Sequence, residues 1–458
     1  MKLFVYITCF FVSLSFFSCS KDENVAQVEE SPDPVTPTPD PEISDEDLMD
    51  YVQEETFKYF WDLAESNSGG ARERYVAANP SQDAHVVTTG GTGFGLMAIL
   101  VGVERGYVTR SEAVTRLNTL LTFLENADRF HGAWPHWLHG ETGAVLPFST
   151  NDDGVDLVET SFLAQGLICI KEYFKSGTEE EIALANKADE LWKGVEWNWF
   201  TQNQNILYWH WSPNNGWAMN LPITGYNECL ITYVMAASSP NYAIDSQVYT
   251  EGWASSGTIV SGNVQYDYPL LVKHQGNESY GGPLFWAHYS YLGLDPRNLS
   301  DSYANYWNVN VNHSMINYLY CVENPMGYTH YGEDFWGLTA SYSRNADGSL
   351  GYSAHTPTND LGIVSPTAAI SSIPYTPEES LAAMHYFYLY DDILTGEAGF
   401  YDAFSPHYNF WVAEAYLAID QGPQIIMIEN YRSGLLWDLF MQNEDIQNGL
   451  TNLGFSYE

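Results

Sequence analysis

Apolar residues recur with a period near 3.6 through most of this chain, and that pattern leaves few architectures open. Helices are expected near 44–66, 88–106, 110–127, 155–174, 179–196, 225–237, 283–292, 302–321, 377–394, 409–420 and 423–440. Thr109-x-x-Glu112, Thr178-x-x-Glu181 and Thr376-Pro377-x-Glu379 each read as a capping box, the last with proline in the first turn. Strand and helix do not alternate in the βαβ manner, so the expected fold is all-α. Segments 197–224 and 322–376 are rich in Gly, Pro, Asn and Tyr. They read as long loops with short strands, such as Leu207-Tyr208-Trp209-His210-Trp211.

The helices are of two kinds. Those at 110–127 and 179–196 carry their charges on one face, as an outer layer does, whereas those at 155–174 and 225–237 are apolar nearly all round, as buried helices are. Similar numbers of each fit a double ring, the (α/α)6 toroid, with long loops and short strands around its cleft. A solenoid would show a repeat of fixed period, and the sequence has none.

The N-terminus reads as an export signal. Lys2 precedes an apolar run from Leu3 to Phe17, and Ser18-Cys19 follows. The run is too short to span a bilayer and is followed at once by polar residues. Phe16-Phe17-Ser18-Cys19 resembles a lipobox, which makes Cys19 the lipidation site, and Ser20-Lys21-Asp22-Glu23 resembles the acidic export signal of Bacteroidetes surface lipoproteins. Proline and acidic residues then dominate, so this stretch cannot bury enough surface to fold. Residues 1–18 are read as a signal peptide, 19–43 as a lipid-anchored disordered tether and 44–458 as one catalytic domain. The expected location is the outer membrane, exposed at the cell surface or on the periplasmic face, with the anchor as the only membrane contact. Cys169, Cys229 and Cys321 lie in apolar or helical runs and read as buried thiols.

Charge narrows the partners. The chain has 58 acidic and 17 basic residues, a formal net charge of −41, which leaves too few cations to grip nucleic acid or an anionic polysaccharide. Aromatics make up 15% of the residues, with 15 Trp and 33 Tyr. Rings that stack on sugar faces and acids that bind hydroxyls suit a neutral saccharide. Trp134, His136 and Trp137 lie in one aromatic-rich stretch and Trp211 in another, and all four are candidate substrate contacts. His131, His136 and His139 do not have the spacing of a helical ligand pair, so no metal and no cofactor is expected.

The candidate chemistry is carboxylic. Asp152, Asp156 and Glu159 are spaced i, i+4, i+7 and share one face if their helix begins by Asp152. Glu228 opens another apolar run. Capping explains acids at a helix start, but it explains Glu159 poorly because that residue lies on a helix otherwise buried. Glycosidic cleavage needs one protonated carboxyl to assist the leaving oxygen and one ionised carboxylate to activate water or attack. Clustered acids repel one another, and their pKa values separate accordingly.

These segments also carry a family resemblance. Asp-x3-Asp-x2-Glu-Thr at 152–160, Gly225-Tyr226-Asn227-Glu228, Gly332-Glu333-Asp334-Phe335-Trp336-Gly337 and the stretch from Asp420 to Gly434 resemble the bacterial glycoamylase-like family, glycoside hydrolase family 144. The resemblance implies an (α/α)6 toroid that hydrolyses β-1,2-glucan to sophoro-oligosaccharides in endo fashion with inversion. It maps the important acids onto Asp152, Asp156, Glu159 and Glu228, with Glu228 or Glu159 as proton donor and the two aspartates holding water or substrate. It also adds Tyr226 and Trp336 to the substrate contacts. The alternatives are an exo-acting enzyme releasing sophorose and a non-catalytic surface glycan-binding lipoprotein. A uronate lyase is disfavoured by the shortage of cations. The expected partner is a neutral glucan, and the expected state a monomer.

Overall fold

The computed structural model describes residues 43–277 and 279–457. The signal-peptide, lipidation and tether expectations fall on residues 1–42, outside the described residues. The first helices are α1 (Asp45–Trp61), α2 (Thr89–Glu104), α3 (Arg110–Asn126), α4 (Leu157–Phe174) and α5 (Glu179–Lys193). Next come α6 (Leu230–Ser238), α7 (Tyr306–Glu323), α8 (Pro366–Ile370), α9 (Pro377–Tyr388) and α10 (Asp391–Leu394). The chain ends with α11 (Ala418–Arg432), α12 (Leu435–Met441) and α13 (Glu444–Leu453).

These helices build the expected double ring. α8 packs on α11, α11 on α2, α2 on α4 and α4 on α6, while the short turns Leu284–Ala287 and Tyr289–Tyr291 continue the inner circle. α1, α3, α5, α7, α9 and α13 lie outside it. The outer helices follow their period: in α3 Ala113, Val114, Leu117, Leu120, Leu121 and Leu124 are buried and the other face is solvated. The inner helices have no solvated face, and every residue of α2 from Thr89 to Gly102 is buried. α2 and α4 approach closely because both present glycine at the crossing. A Cβ on Gly93 would lie 2.3 Å from Phe162 O, and one on Gly166 2.3 Å from Gly93 O.

Several expected boundaries move. The capping boxes at Thr109 and Thr178 form with Glu112 and Glu181. The one at Thr376 does not, since its hydroxyl donates back to Ser372 O at 3.2 Å and so belongs to the preceding turn. The 283–292 helix is two 3₁₀ turns. Half of 409–420 is strand, Trp411–Ala413 and Ala415–Leu417, with helix beginning only at Ala418. Helix α4 begins at Leu157, so Asp152 precedes it and the three acids do not share a helical face. Glu228 likewise sits two residues before α6.

Candidate active site

A strand pairing, not a helix, assembles the first acids. Val155 and Asp156 pair antiparallel with Trp211 and His210, which brings the 208–212 loop across the N-terminus of α4. Asp156 is the N-cap of that helix. Its Oδ1 accepts from the amides of Val158 and Glu159, both at 3.0 Å, and from Trp209 Nε1 at 2.9 Å. Its Oδ2 accepts from His136 Nδ1 at 2.9 Å. Four donors occupy the carboxylate, so Asp156 has little capacity left to hold water or substrate, contrary to the sequence expectation. Its pKa is lowered: burial opposes ionisation, but His136, His210 and the cap amides outweigh it.

Asp152 reaches the same cluster from a turn closed against Ser149. Its Oδ2 lies 3.4 Å from His210 Nδ1, and its Oδ1 is buried without a protein partner. Glu159, in the first turn of α4, lines the same cavity as His136 and reaches toward the start of α2. Its Oε2 accepts from Gly90 N at 2.7 Å, an approach open because position 90 has no side chain: a Cβ there would sit 2.6 Å from that oxygen. The Glu159 pKa is raised, first by burial and then by Asp156, against the pull of His136. Glu228 is pushed up to about 7, chiefly by burial, with Asp156 and Glu159 adding repulsion.

The cluster therefore holds protons where isolated groups would not. Burial works against a charge on His136, yet Glu159, Asp156 and Asp152 together raise it to about 9. His210 is raised against burial by Asp152 and Asp156. At neutral pH His136 is an imidazolium paired with Asp156, while Glu228 retains a substantial protonated fraction. Ligating atoms of His136, Asp152 and Asp156 lie within 4.8 Å of one another. They would hold a cation only after His136 gave up its proton.

Beside this cluster opens a cavity of ≈ 350 Å³ lined by Glu159, His136, Trp137, Phe148, Tyr342 and Tyr352 among others. The expected contacts His136 and Trp137 belong to it. Trp211 does not: it is half-buried, edge-on to His131 and Trp199. Three other expected contacts have no face to offer a sugar. Trp134 is fully buried, donating to Leu124 O at 3.1 Å beneath the Arg129 guanidinium. Tyr226 is buried and donates to Asn310 Oδ1 at 2.6 Å. Trp336 is buried in a separate core and donates to Glu379 O at 3.2 Å. Each packs where its polar atom meets a backbone or amide partner, which is what a core aromatic requires.

Sequence reasoning missed His210, which faces Asp152, and two exposed rings, one on a loop and one on a hairpin strand. Phe148 is 51% exposed, its ring 4.3 Å from His136 and 4.9 Å from Trp137 between centroids. Tyr352 is 57% exposed on the 340–354 hairpin. Asp347-Gly348 between two Ser/Tyr runs is a hairpin signal that would have found this element. The three cysteines are free and buried, as expected.

The Glycoamylase family model matches residues 220–444. An endo-β-1,2-glucanase from Chitinophaga pinensis, solved with sophorotriose and glucose, is 54% identical. That match covers 91% of this chain and 99% of the other, with a TM-score of 0.88. An exo β-1,2-glucooligosaccharide sophorohydrolase of Parabacteroides distasonis is 43% identical over 434 residues, covering 90% of this chain. The chain spans only 58% of that relative's length. An endo-β-1,2-glucanase from Talaromyces funiculosus shares the fold alone, with 10% identity and a TM-score of 0.65 over 90% of this chain and 91% of that one.

Proposed function

This chain belongs to the glycoamylase-like family, glycoside hydrolase family 144, and on that premise we propose that it hydrolyses β-1,2-glucan in endo fashion to sophoro-oligosaccharides. The observation that carries the reading is a set of acids, Asp152 and Asp156 facing two histidines and Glu159 on the wall of an aromatic-lined cavity, with burial and the charges of Asp156 and Glu159 raising Glu228 to about 7. Glu228 is the proton donor to the leaving oxygen. Asp152, whose Oδ1 no protein group occupies, and Glu159 are left to hold the attacking water. Asp156 and His136 position the others. Phe148, Trp137 and Tyr352 present ring faces and edges to a neutral sugar.

Endo action is supported by the 54% identical relative, which this chain matches over almost its whole length. Exo action is the second reading, favoured by the relative from P. distasonis. Early time points on long linear β-1,2-glucan separate the two: endo cleavage gives a ladder of oligosaccharides and a fast fall in chain length. Sophorose alone, with chain length nearly constant, would refute the endo reading. Release of no sugar at all would leave glycan binding without catalysis.

We further propose, from the sequence of residues 1–43, that Cys19 carries a lipid and tethers a monomeric domain to the outer membrane. Cys19→Ala is expected to move the protein from the detergent-soluble membrane fraction to the soluble one. Unchanged partition would overturn the anchor.

A further inference from the structure

The 340–354 hairpin forms a wall of the cleft outside the helical ring. Its strands pair Tyr342 directly with Tyr352, and both side chains line the cavity. Tyr342 is nearly buried, and its N–H donates to Asp402 Oδ2 at 2.6 Å. Asp402 is itself tied to two other segments: its N–H donates to Ala415 O at 2.9 Å, and its carbonyl accepts from Ser365 Oγ at 2.5 Å. Its carboxyl faces that of Asp420 in the first turn of α11. The two residues are 3% and 1% exposed, and among the described residues neither forms an ion pair with Lys or Arg. Asp402 Oδ1 and both Asp420 oxygens have no other donor.

Two buried carboxyls without a cation cannot both ionise, so a proton stays between them. Burial lifts Asp402 to about 6, and burial with the charge of Asp402 lifts Asp420 well above the carboxylate range. The other titratable groups that act on the pair are Glu73, Tyr59, Tyr289 and Tyr352, and Arg74 faces Tyr342. None of them supplies a second acceptor for the Tyr342 amide.

We propose that Asp402, joined to Asp420 by one shared proton, is a positioning residue that latches the 340–354 hairpin against the ring and so fixes the Tyr342–Tyr352 wall of the cleft. It touches no substrate. Removing the latch frees the wall, whereas an amide in its place keeps an acceptor for Tyr342 N–H and donates to an ionised Asp420.

Hydrogen exchange on the whole chain tests this without any substrate. Asp402→Ala is expected to speed amide exchange across 340–354 at least about tenfold, with α2 and α4 unchanged, and Asp402→Asn to restore it. On β-1,2-glucan, Asp402→Ala should raise KM several-fold with kcat within about twofold. This arm rests on the reading of function above, while the exchange arm does not. If the alanine variant fails to fold, wild type and Asp402→Asn decide. Raising the pH ionises both carboxyls only in wild type, so hairpin exchange corrected for its intrinsic rate should rise there and stay flat in the variant. Unchanged exchange in Asp402→Ala, parallel pH behaviour of wild type and Asp402→Asn, or a fall in kcat at constant KM would each overturn the latch. The last would assign the pair to the chemistry itself.

Discussion

Glu228→Gln is expected to lower kcat on β-1,2-glucan by about 10²–10⁴-fold while the protein stays folded. Glutamine keeps the shape of the side chain but has no acidic proton for the leaving oxygen. The wild-type pH profile should carry the same signature. Glu228 works in its protonated form and is raised to about 7, so activity should fall as pH climbs through that value. Its effect on stability has a definite sign. A carboxyl whose folded pKa is raised binds more protons in the native state, so its contribution is complete below the unfolded value of 4.5 and lost as pH rises through about 7. Stability of wild type relative to Glu228→Gln should therefore decline across that window. Reducing-sugar release and calorimetry measure the two effects. Turnover of Glu228→Gln within about threefold of wild type would remove this residue from the donor role.

Asp156→Ala should damage both fold and activity, costing on the order of 3–5 kcal/mol of stability. One carboxylate caps α4, holds the Trp209 indole and pairs with the half-buried His136 imidazolium, and alanine removes all three contacts at once. Asp156→Asn separates the roles. Its amide oxygen can still accept from Val158 and Glu159, so the cap survives, but the Asp156 charge facing His136 is gone and only those of Glu159 and Asp152 remain. His136 should then titrate below its present value of about 9, still held up in part by Glu159 and Asp152, which the imidazole proton resonances report directly. A raised imidazole pKa stabilises most below its unfolded value of 6.5 and ceases to do so as pH passes through about 9. The stability gap between wild type and Asp156→Asn should accordingly be widest between about pH 3.8 and 6.5, shrink at lower pH as Asp156 takes up a proton, and narrow as pH passes through about 9. A stability loss below about 1 kcal/mol in Asp156→Ala, with His136 titrating as before in Asp156→Asn, would show that this carboxylate is not the anchor described.

The four acids could be read from the chain, but their geometry could not. Helical spacing alone puts Asp152, Asp156 and Glu159 on one face. In the structure Asp156 ends a strand, caps the helix and faces His136 and Trp209 from elsewhere in the chain. Glu159 turns to an amide some seventy positions away, at a glycine whose only local message was a weak helix former. The aromatic residues differ from the sequence expectation for the same reason. Trp134, Tyr226 and Trp336 have the composition of sugar platforms, and only burial against distant backbone shows them to be core. Phe148 and Tyr352 sit on a loop and on a hairpin strand, and their exposure depends on where those segments end in space.

Helix type and approximate position follow from local periodicity, since a side chain's place in a 3.6-residue turn depends on its neighbours in sequence. The inner and outer rings follow from whether that periodicity leaves a polar face. Ionisation follows from neither. Whether Glu228 keeps a proton, whether His136 is charged and whether Asp402 and Asp420 share a hydrogen depend on burial and on charges brought in by other segments. The energies of those contacts exist only once the ring has closed, which is why the tertiary structure alone decided them.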